Sequence, residues 1–112
     1  MESSLWQATT ATEVVQSDDG KKFTVNSFDL SQASPFFCAL FNGPISLRKN
    51  GLYRLSSVSS VGLETCLRMF ENESLGSDDI QLSSAIIALD TCEYLGMECL
   101  ERRLFDIICE LV

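Results

Sequence analysis

The chain has 112 residues, of which 46% are hydrophobic, and its 16 acidic and 8 basic side chains give a formal net charge of −8. This length fits a single domain with one continuous core. The negative charge argues against nucleic acid and anionic membranes as partners, because both attract Lys and Arg. The sequence contains no His, which removes the commonest general base and metal ligand.

Cysteine usage indicates the redox state of the chain. The cysteines are odd in number and form no Cys-x-x-Cys motif, so we expect buried free thiols and neither a disulfide framework nor a zinc site; they are Cys38, Cys66, Cys92, Cys99 and Cys109. The first residues lack the basic start and apolar run of a signal peptide, and no apolar stretch approaches the ~20 residues of a membrane span. The expected location is the cytoplasm, the nucleus or both.

The N-terminal quarter predicts a tail followed by a β-hairpin. Residues 1–12 are polar around Leu5 and Trp6 and are interpreted as a tail or appended element, so that the domain spans residues 13–112. Residues 13–16 and 22–25 predict two strands, because apolar and polar residues alternate in the second. The intervening turn ends in Asp19-Gly20, a strong hairpin signal.

The rest of the chain predicts helices around one further strand. Ser34 is a suitable N-cap and Pro35 fits the first helical position. Gly43 stands where a left-handed C-terminal cap is expected, and the buried stripe of this helix contains Phe37, Leu40 and Phe41. A third strand is predicted at 52–55. Further helices are predicted at 61–71, from 82 to Gly96, and from 98 onward; their expected inward residues are Leu63, Cys66, Leu67, Phe70, Ala85, Ile86, Leu89, Cys92, Leu100, Leu104, Ile107, Ile108 and Leu111. This order predicts an α+β domain.

No pattern of catalytic or ligand-binding chemistry is evident in the sequence. The acidic pairs, such as Asp18-Asp19 and Asp78-Asp79, lie in turn contexts where Asp closes turns. The basic pairs, such as Arg102-Arg103, are scattered and are interpreted as solvated. Glycine-rich phosphate loops are absent from the sequence. We therefore expect no enzyme activity, no catalytic residues, no cofactor and no metal.

Three ordered stretches resemble one superfamily. Residues 14–25 resemble the opening strand, turn and strand of BTB/POZ domains and of elongin C and the related F-box adaptor. Residues 34–41, Ser-Pro-Phe-Phe-Cys-Ala-Leu-Phe, resemble the second BTB helix, and residues 85–97 resemble the helix that ends in an aromatic-Leu pair. The resemblance implies a BTB/POZ-like α+β fold, with a small three-stranded sheet packed on a cluster of about five helices.

The resemblance also implies a protein–protein interaction module, because many members bridge a cullin scaffold to a substrate receptor in ubiquitin ligases. The family's cullin contact corresponds to the stretch from Phe41 to Leu52 and the 71–79 turn, with Ile45, Leu47 and Tyr53 as apolar candidates. The receptor contact of the elongin C branch corresponds to Ala88, Cys92, Tyr94 and Met97. From the residues alone, Ile45 and Leu47 either contact a partner or anchor their loop.

Departures from the family pattern keep a second function open. Asn26-Ser27 replaces a common His-Lys pair, and Ile45-Ser46-Leu47 lacks the acidic residue usual in cullin-binding loops. The alternative is a homo-oligomerisation scaffold, expected as a homodimer, from a transcriptional or chromatin-associated regulator. Its candidate self-association residues are Leu5, Trp6, Leu104 and Ile108. Leu5 and Trp6 either pack back on the domain or reach a partner.

Overall fold

The computed structural model describes residues 12–43 and 51–112, which form a small sheet beside a layer of helices. The strands are β1 Thr12–Gln16, β2 Lys22–Asn26 and β3 Tyr53–Arg54; the helices are α1 Ser27–Ala33, α2 Pro35–Asn42, α3 Ser60–Glu71, α4 Leu82–Leu95 and α5 Glu98–Leu111. Over these two ranges, every helix is too short or too polar to cross a bilayer. The predicted α+β class, with three strands and about five helices, is confirmed.

The sheet has the order β2-β1-β3, with β1 in the centre. The strands β1 and β2 form the predicted antiparallel hairpin, in which Val15 lies opposite Phe23. Gly20 adopts a φ of 95°, a left-handed conformation that favours glycine and closes the turn. The short strand β3 runs parallel to β1, with Tyr53 beside Val15. Val15 is fully buried, so the central strand contributes directly to the core.

Helix α1 was not predicted from the residues. It begins where the Asn26 side chain accepts a hydrogen bond from the Asp29 backbone N–H at 3.0 Å, an ordinary N-cap. Within the helix only Leu30 is buried, so it has no apolar periodicity for a sequence pattern to detect.

Ser34 joins three helix ends. Its backbone N–H donates to Leu30 and ends α1, and its hydroxyl accepts from the Phe37 N–H at 3.1 Å and begins α2. The same hydroxyl donates to the Leu95 carbonyl, near the end of α4, at 2.6 Å. The predicted N-cap is confirmed, and the serine additionally ties α2 to a helix that is distant in sequence. At the other end of α2, Gly43 is extended, with a φ of −69° and a ψ of 163°, so the expected left-handed cap is not formed.

The helical layer packs α3, α4 and α5 in succession, and its inward residues correct one detail of the predicted pattern. In α4 the inward face consists of small and medium side chains; they are Ala85, Ala88, Thr91, Cys92 and Leu95. Ile86, which was expected inside, is 53% exposed. A β-carbon added at Gly62 of α3 would lie 2.1 Å from Thr91 Oγ1, so α3 and α4 approach closely here. Small inward residues suit such a close approach, and the bulkier Ile86 side chain lies outside it.

Two further sequence expectations need correction. Only Cys66 and Cys92 are buried, while Cys38, Cys99 and Cys109 are exposed because they lie on outward faces of α2 and α5. Arg103 is not simply solvated. Its guanidinium donates to the carbonyls of Met69 at 2.8 Å, Asn72 at 3.2 Å and Glu73 at 3.1 Å. These acceptors lie at or just beyond the C-terminal end of α3, where a cation also interacts favourably with the helix dipole.

Candidate partner-binding surface

A row of aromatic side chains connects β3 with the C-terminal part of α4. We call it the aromatic row; its members in order are Tyr53, Phe41, Phe37, Phe36 and Tyr94. Successive ring centroids are separated by 5.1, 5.5, 5.4 and 5.2 Å. These separations are within the range in which aromatic pairs attract one another beyond their burial. The row therefore couples β3 to helix α4 through α2.

The aromatic row passes from the core to the surface. Phe37 is fully buried, and Tyr53 is only 6% exposed, so this part of the row supports the fold. Phe36 and Phe41 are half-buried and pack against the core. Tyr94 is 51% exposed and presents an aromatic ring with a hydroxyl to solvent. The exposed end of the row thus combines apolar area with a hydrogen-bonding group, which is characteristic of side chains at protein interfaces.

The predicted partner-binding residues occupy three different settings. Ile45 and Leu47 lie outside the described residues. The remaining residues except Tyr94 are buried in the core; they are Tyr53, Ala88, Cys92 and Met97. Their apolar side chains pack against the chain's own helices, so the exposed face expected of Ala88, Cys92 and Met97 is not formed by these side chains. Tyr94 is the predicted residue that the described part of the chain exposes.

Met97 lies at the bottom of a groove of about 780 Å³ between the end of α1 and the start of α5. The Met97 side chain is only 2% exposed. Phe70 and Leu100 give the groove an apolar lining, and Glu73 and Glu98 add acidic groups. Arg103 also lines it, but its guanidinium is occupied by the carbonyls of α3.

The candidate self-association residues are also divided. Leu5 and Trp6 lie outside the described residues. Leu104 is fully buried because it faces α4, and this corrects its assignment to a surface, whereas Ile108 is half-buried. The neighbouring Phe105 was missed, although it is 59% exposed. Phe105 falls outside the inward spacing of α5, and an aromatic residue on the polar side of an amphipathic helix is the signal that could have identified it.

Polar contacts at the N-terminal end of α3 position the β1–β2 hairpin turn. The Asp19 carboxylate accepts from the Ser60 backbone N–H at 3.2 Å and from the Ser60 hydroxyl at 2.7 Å. It also accepts from the Ser17 hydroxyl. The hydrogen bonds from Ser17 and then from Ser60 lower the pKa of the Asp19 carboxyl, because they stabilise its ionised form. This contact is structural: it ties the β1–β2 turn to the first turn of α3.

Metal-ligating side chains are not gathered into a site in residues 12–43 and 51–112: no group of three or more Cys, Asp and Glu residues there could hold an ion. The prominent surface features are instead exposed apolar side chains on helices. Exposed aromatic residues on a rigid scaffold contribute buried area when a partner docks.

A three-stranded sheet beside a helical layer, with exposed aromatic residues on three of its helices (Phe28, Tyr94 and Phe105), is typical of an α+β interaction domain. A family model described as the BTB/POZ domain matches residues 1–111, and the chain belongs to this family. A search of curated proteins gave no match. The chain is therefore a protein–protein interaction module, and BTB domains mediate both interactions with other proteins and self-association.

Proposed function

We propose that this domain is an adaptor that bridges a cullin-type ubiquitin-ligase scaffold, or a substrate receptor, to a partner. The observation that carries the proposal is the 5.2 Å contact between Phe36 and Tyr94, which joins the aromatic row to exposed surface. The row links α4 to Tyr53 of β3, and the family resemblance associates residues 42–55 and 88–97 with partner binding. The exposed ring of Tyr94 is the proposed anchor of this contact.

The surroundings of Tyr94 support an anchoring role. Phe36 of α2 packs against the Tyr94 ring. The start of α2 is held to the end of α4 by the hydrogen bond that the Ser34 hydroxyl donates to the Leu95 carbonyl. A tyrosine held in this way loses little conformational entropy when a partner covers it. Asp90 and Glu93 are exposed on the same helix, so positive charges near the partner's contact surface would increase the rate of association.

The test compares two exposed aromatic residues on different helices. We expect Tyr94→Ala to weaken binding to a cullin N-terminal segment by roughly 30-fold, corresponding to a hot-spot loss of about 2 kcal/mol. Phe105→Ala is the matched control, because Phe105 is similarly exposed at 59% but lies on α5. Affinities are measured by isothermal titration calorimetry, and circular dichroism verifies the fold of each variant. Unchanged affinity of Tyr94→Ala would exclude the proposed anchor.

A second variant addresses the two candidate contact residues that precede β3 in the sequence. We expect Ile45→Asp combined with Leu47→Asp to leave the helical circular dichroism unchanged and to abolish pull-down of the cullin or receptor. The introduced charges would prevent apolar burial at the contact. Undiminished pull-down would remove these two residues from the proposed surface.

The second candidate function is homo-oligomerisation, as in a scaffold of a transcriptional or chromatin-associated regulator. Phe105 favours it, because this exposed ring lines a shallow cleft of about 520 Å³ between α4 and α5. Light scattering coupled to size-exclusion chromatography distinguishes the functions: Phe105→Asp should convert a dimer to a monomer, while Tyr94→Ala should leave it intact. A stable wild-type monomer counts against the scaffold. Either function would be exercised in the cytoplasm or the nucleus, where we propose that the protein acts.

A further inference from the structure

Cys66 and Cys92 form a buried thiol pair at the interface of α3 and α4. Both residues are 0% exposed, and their sulfur atoms are 2.9 Å apart. Cys66 Sγ also lies 3.4 Å from the Ala88 carbonyl oxygen, to which it donates. Since each thiol has one proton, Cys92 supplies the proton between the two sulfurs. A disulfide bond has an S–S length of about 2.0 Å, so the two sulfurs need to approach by only roughly 0.9 Å.

The backbone around the pair supports such an approach. Gly62 lies one helical turn before Cys66, and Thr91 directly precedes Cys92. A β-carbon at Gly62 would be 2.1 Å from Thr91 Oγ1 and 3.1 Å from Thr91 Cβ. The glycine therefore allows the two helices to lie close together beside the cysteines. A disulfide forms without backbone movement only where the chains approach in this way.

We propose that Cys66 and Cys92 are an oxidative modification site, at which hydrogen peroxide converts the thiol pair into an intrachain disulfide that joins α3 to α4. This inference concerns the internal packing of the domain and is independent of which partner the domain binds.

The reaction with peroxide is balanced in two steps. The thiolate of one cysteine attacks a peroxide oxygen and breaks the O–O bond, which gives a sulfenic acid and a hydroxide that takes up the thiol proton as water. The sulfur of the other cysteine then attacks the sulfenic sulfur, the S–O bond breaks, and a second water leaves with the remaining proton. Two thiols lose two electrons in total, and the peroxide is reduced to two molecules of water.

The buried position of the pair determines the rate of its oxidation. The hydrogen bond with Cys92, and secondly burial, raise the pKa of the Cys66 thiol, so little of the reactive thiolate is present. Cys38, Cys99 and Cys109 are exposed and accessible to peroxide in the native state. We therefore expect the exposed cysteines to react first, and the Cys66–Cys92 bond to form more slowly as the helices open transiently.

The test uses the full chain with Cys38→Ser, Cys99→Ser and Cys109→Ser combined, so that the buried pair alone remains. Protein treated with hydrogen peroxide is unfolded, alkylated and digested with trypsin. We expect a disulfide-linked pair of peptides covering residues 55–68 and 69–102, loss of both titratable thiols, and recovery of both with dithiothreitol. Two thiols that remain titratable, or sulfinic acids without a linked peptide, would overturn the proposal.

Stability measurements distinguish a native bond from one formed in unfolded chains. Oxidised protein should unfold at a higher urea concentration than reduced protein, because the bond restricts the unfolded ensemble. A disulfide that forms only in urea and lowers the midpoint would also overturn the proposal. Adding Cys92→Ala to the triple variant removes one partner and should abolish the linked peptide, and circular dichroism verifies that this variant is folded. Cys66→Ala provides the reciprocal control.

Discussion

Replacement of Gly62 by alanine is expected to lower the free energy of unfolding by about 2 kcal/mol, as the difference of two opposing effects. Alanine gains about 1 kcal/mol of helix propensity over glycine. Against this, its β-carbon would lie 2.1 Å from Thr91 Oγ1 and 3.2 Å from Ile87 Cγ2. Rotation of Thr91 gives little relief, because its own Cβ is 3.1 Å away. The overlap is severe, so we expect it to destabilise the protein by about 3 kcal/mol, near the upper end of the range typical of overpacking.

Urea unfolding followed by far-ultraviolet circular dichroism measures this loss, and the corresponding fall in Tm is about 8 °C for a domain of this size. Gly76→Ala is the matched control, because a β-carbon there meets nothing within 4 Å. Its effect should be within about 0.5 kcal/mol. Combining Gly62→Ala with Thr91→Ala should recover part of the loss, because the Oγ1 atom is removed. A Gly62→Ala protein as stable as the wild type would refute the close approach of α3 and α4.

Three further substitutions test individual polar contacts. Arg103→Ala should lower the free energy of unfolding by about 2 kcal/mol, because carbonyls at the end of α3 lose a charged donor. The control is Arg102→Ala at the exposed neighbouring position, which should change the free energy of unfolding in urea by less than about 0.5 kcal/mol. Equal losses in the two variants would contradict the capping role. Ser34→Ala should lower the free energy of unfolding by about 2 to 3 kcal/mol, because α2 loses its N-cap and the Leu95 carbonyl loses a donor. A loss near zero in the same assay would disprove the connection that Ser34 makes between α2 and α4. The fold lowers the pKa of the Asp19 carboxyl, so its ionised form stabilises the folded protein. This stabilisation is complete above the ordinary pKa of 3.8 and is lost as the pH falls through the lower pKa of the folded state. Asp19→Asn should therefore flatten the acid side of the stability profile more than Asp18→Asn does, and equal profiles would contradict the contact.

The elements predicted correctly from the sequence have strong local signals. The Asp19-Gly20 turn and the Ser34-Pro35 helix start each depend on chemistry within four neighbouring residues, so they can be recognised without the fold. Gly96 likewise ends α4 in a left-handed conformation with a φ of 73°. Helix α1 has only an N-cap and one buried leucine, and its formation depends on tertiary packing that a local sequence pattern does not reveal.

The inward face of α4 could be predicted only in part. Ala85 and Cys92 are buried as expected, but apolar residues surround the first half of this helix. Residues 85–89 are Ala-Ile-Ile-Ala-Leu, which gives no clear hydrophobic side. The close approach of α3 then favours the smaller residues at the interface and leaves Ile86 53% exposed. Ile87 is 41% exposed and still has its Cγ2 atom near Gly62. The burial of Ala88 and Cys92, both expected at a partner surface, has the same cause.

The sequence indicated which part of the chain holds the candidate site, but it did not indicate which side chains are exposed there or which contacts they make. The family resemblance indicates Tyr94, but its contact with Phe36 joins two helices that are distant in sequence. Such a contact depends on tertiary packing, and helical spacing carries no information about it. Phe105 lies on the polar side of α5, and the inward apolar stripe of that helix carries no information about it.

The central position of β1 has a consequence for the order of folding. Its pairing with β2 needs only a tight turn, closed by the Ser17 N–H on the Lys21 carbonyl at 2.8 Å, and hairpins form within about 1–10 μs. Its pairing with β3 requires the whole stretch between Gln16 and Tyr53 to close into a loop, whose entropic cost grows with its length. The Leu55 N–H, which donates to the Gln16 carbonyl at 2.8 Å, should therefore become protected in pulse-labelling hydrogen exchange after the Ser17 N–H. We therefore expect the third strand to join the sheet after the hairpin has formed.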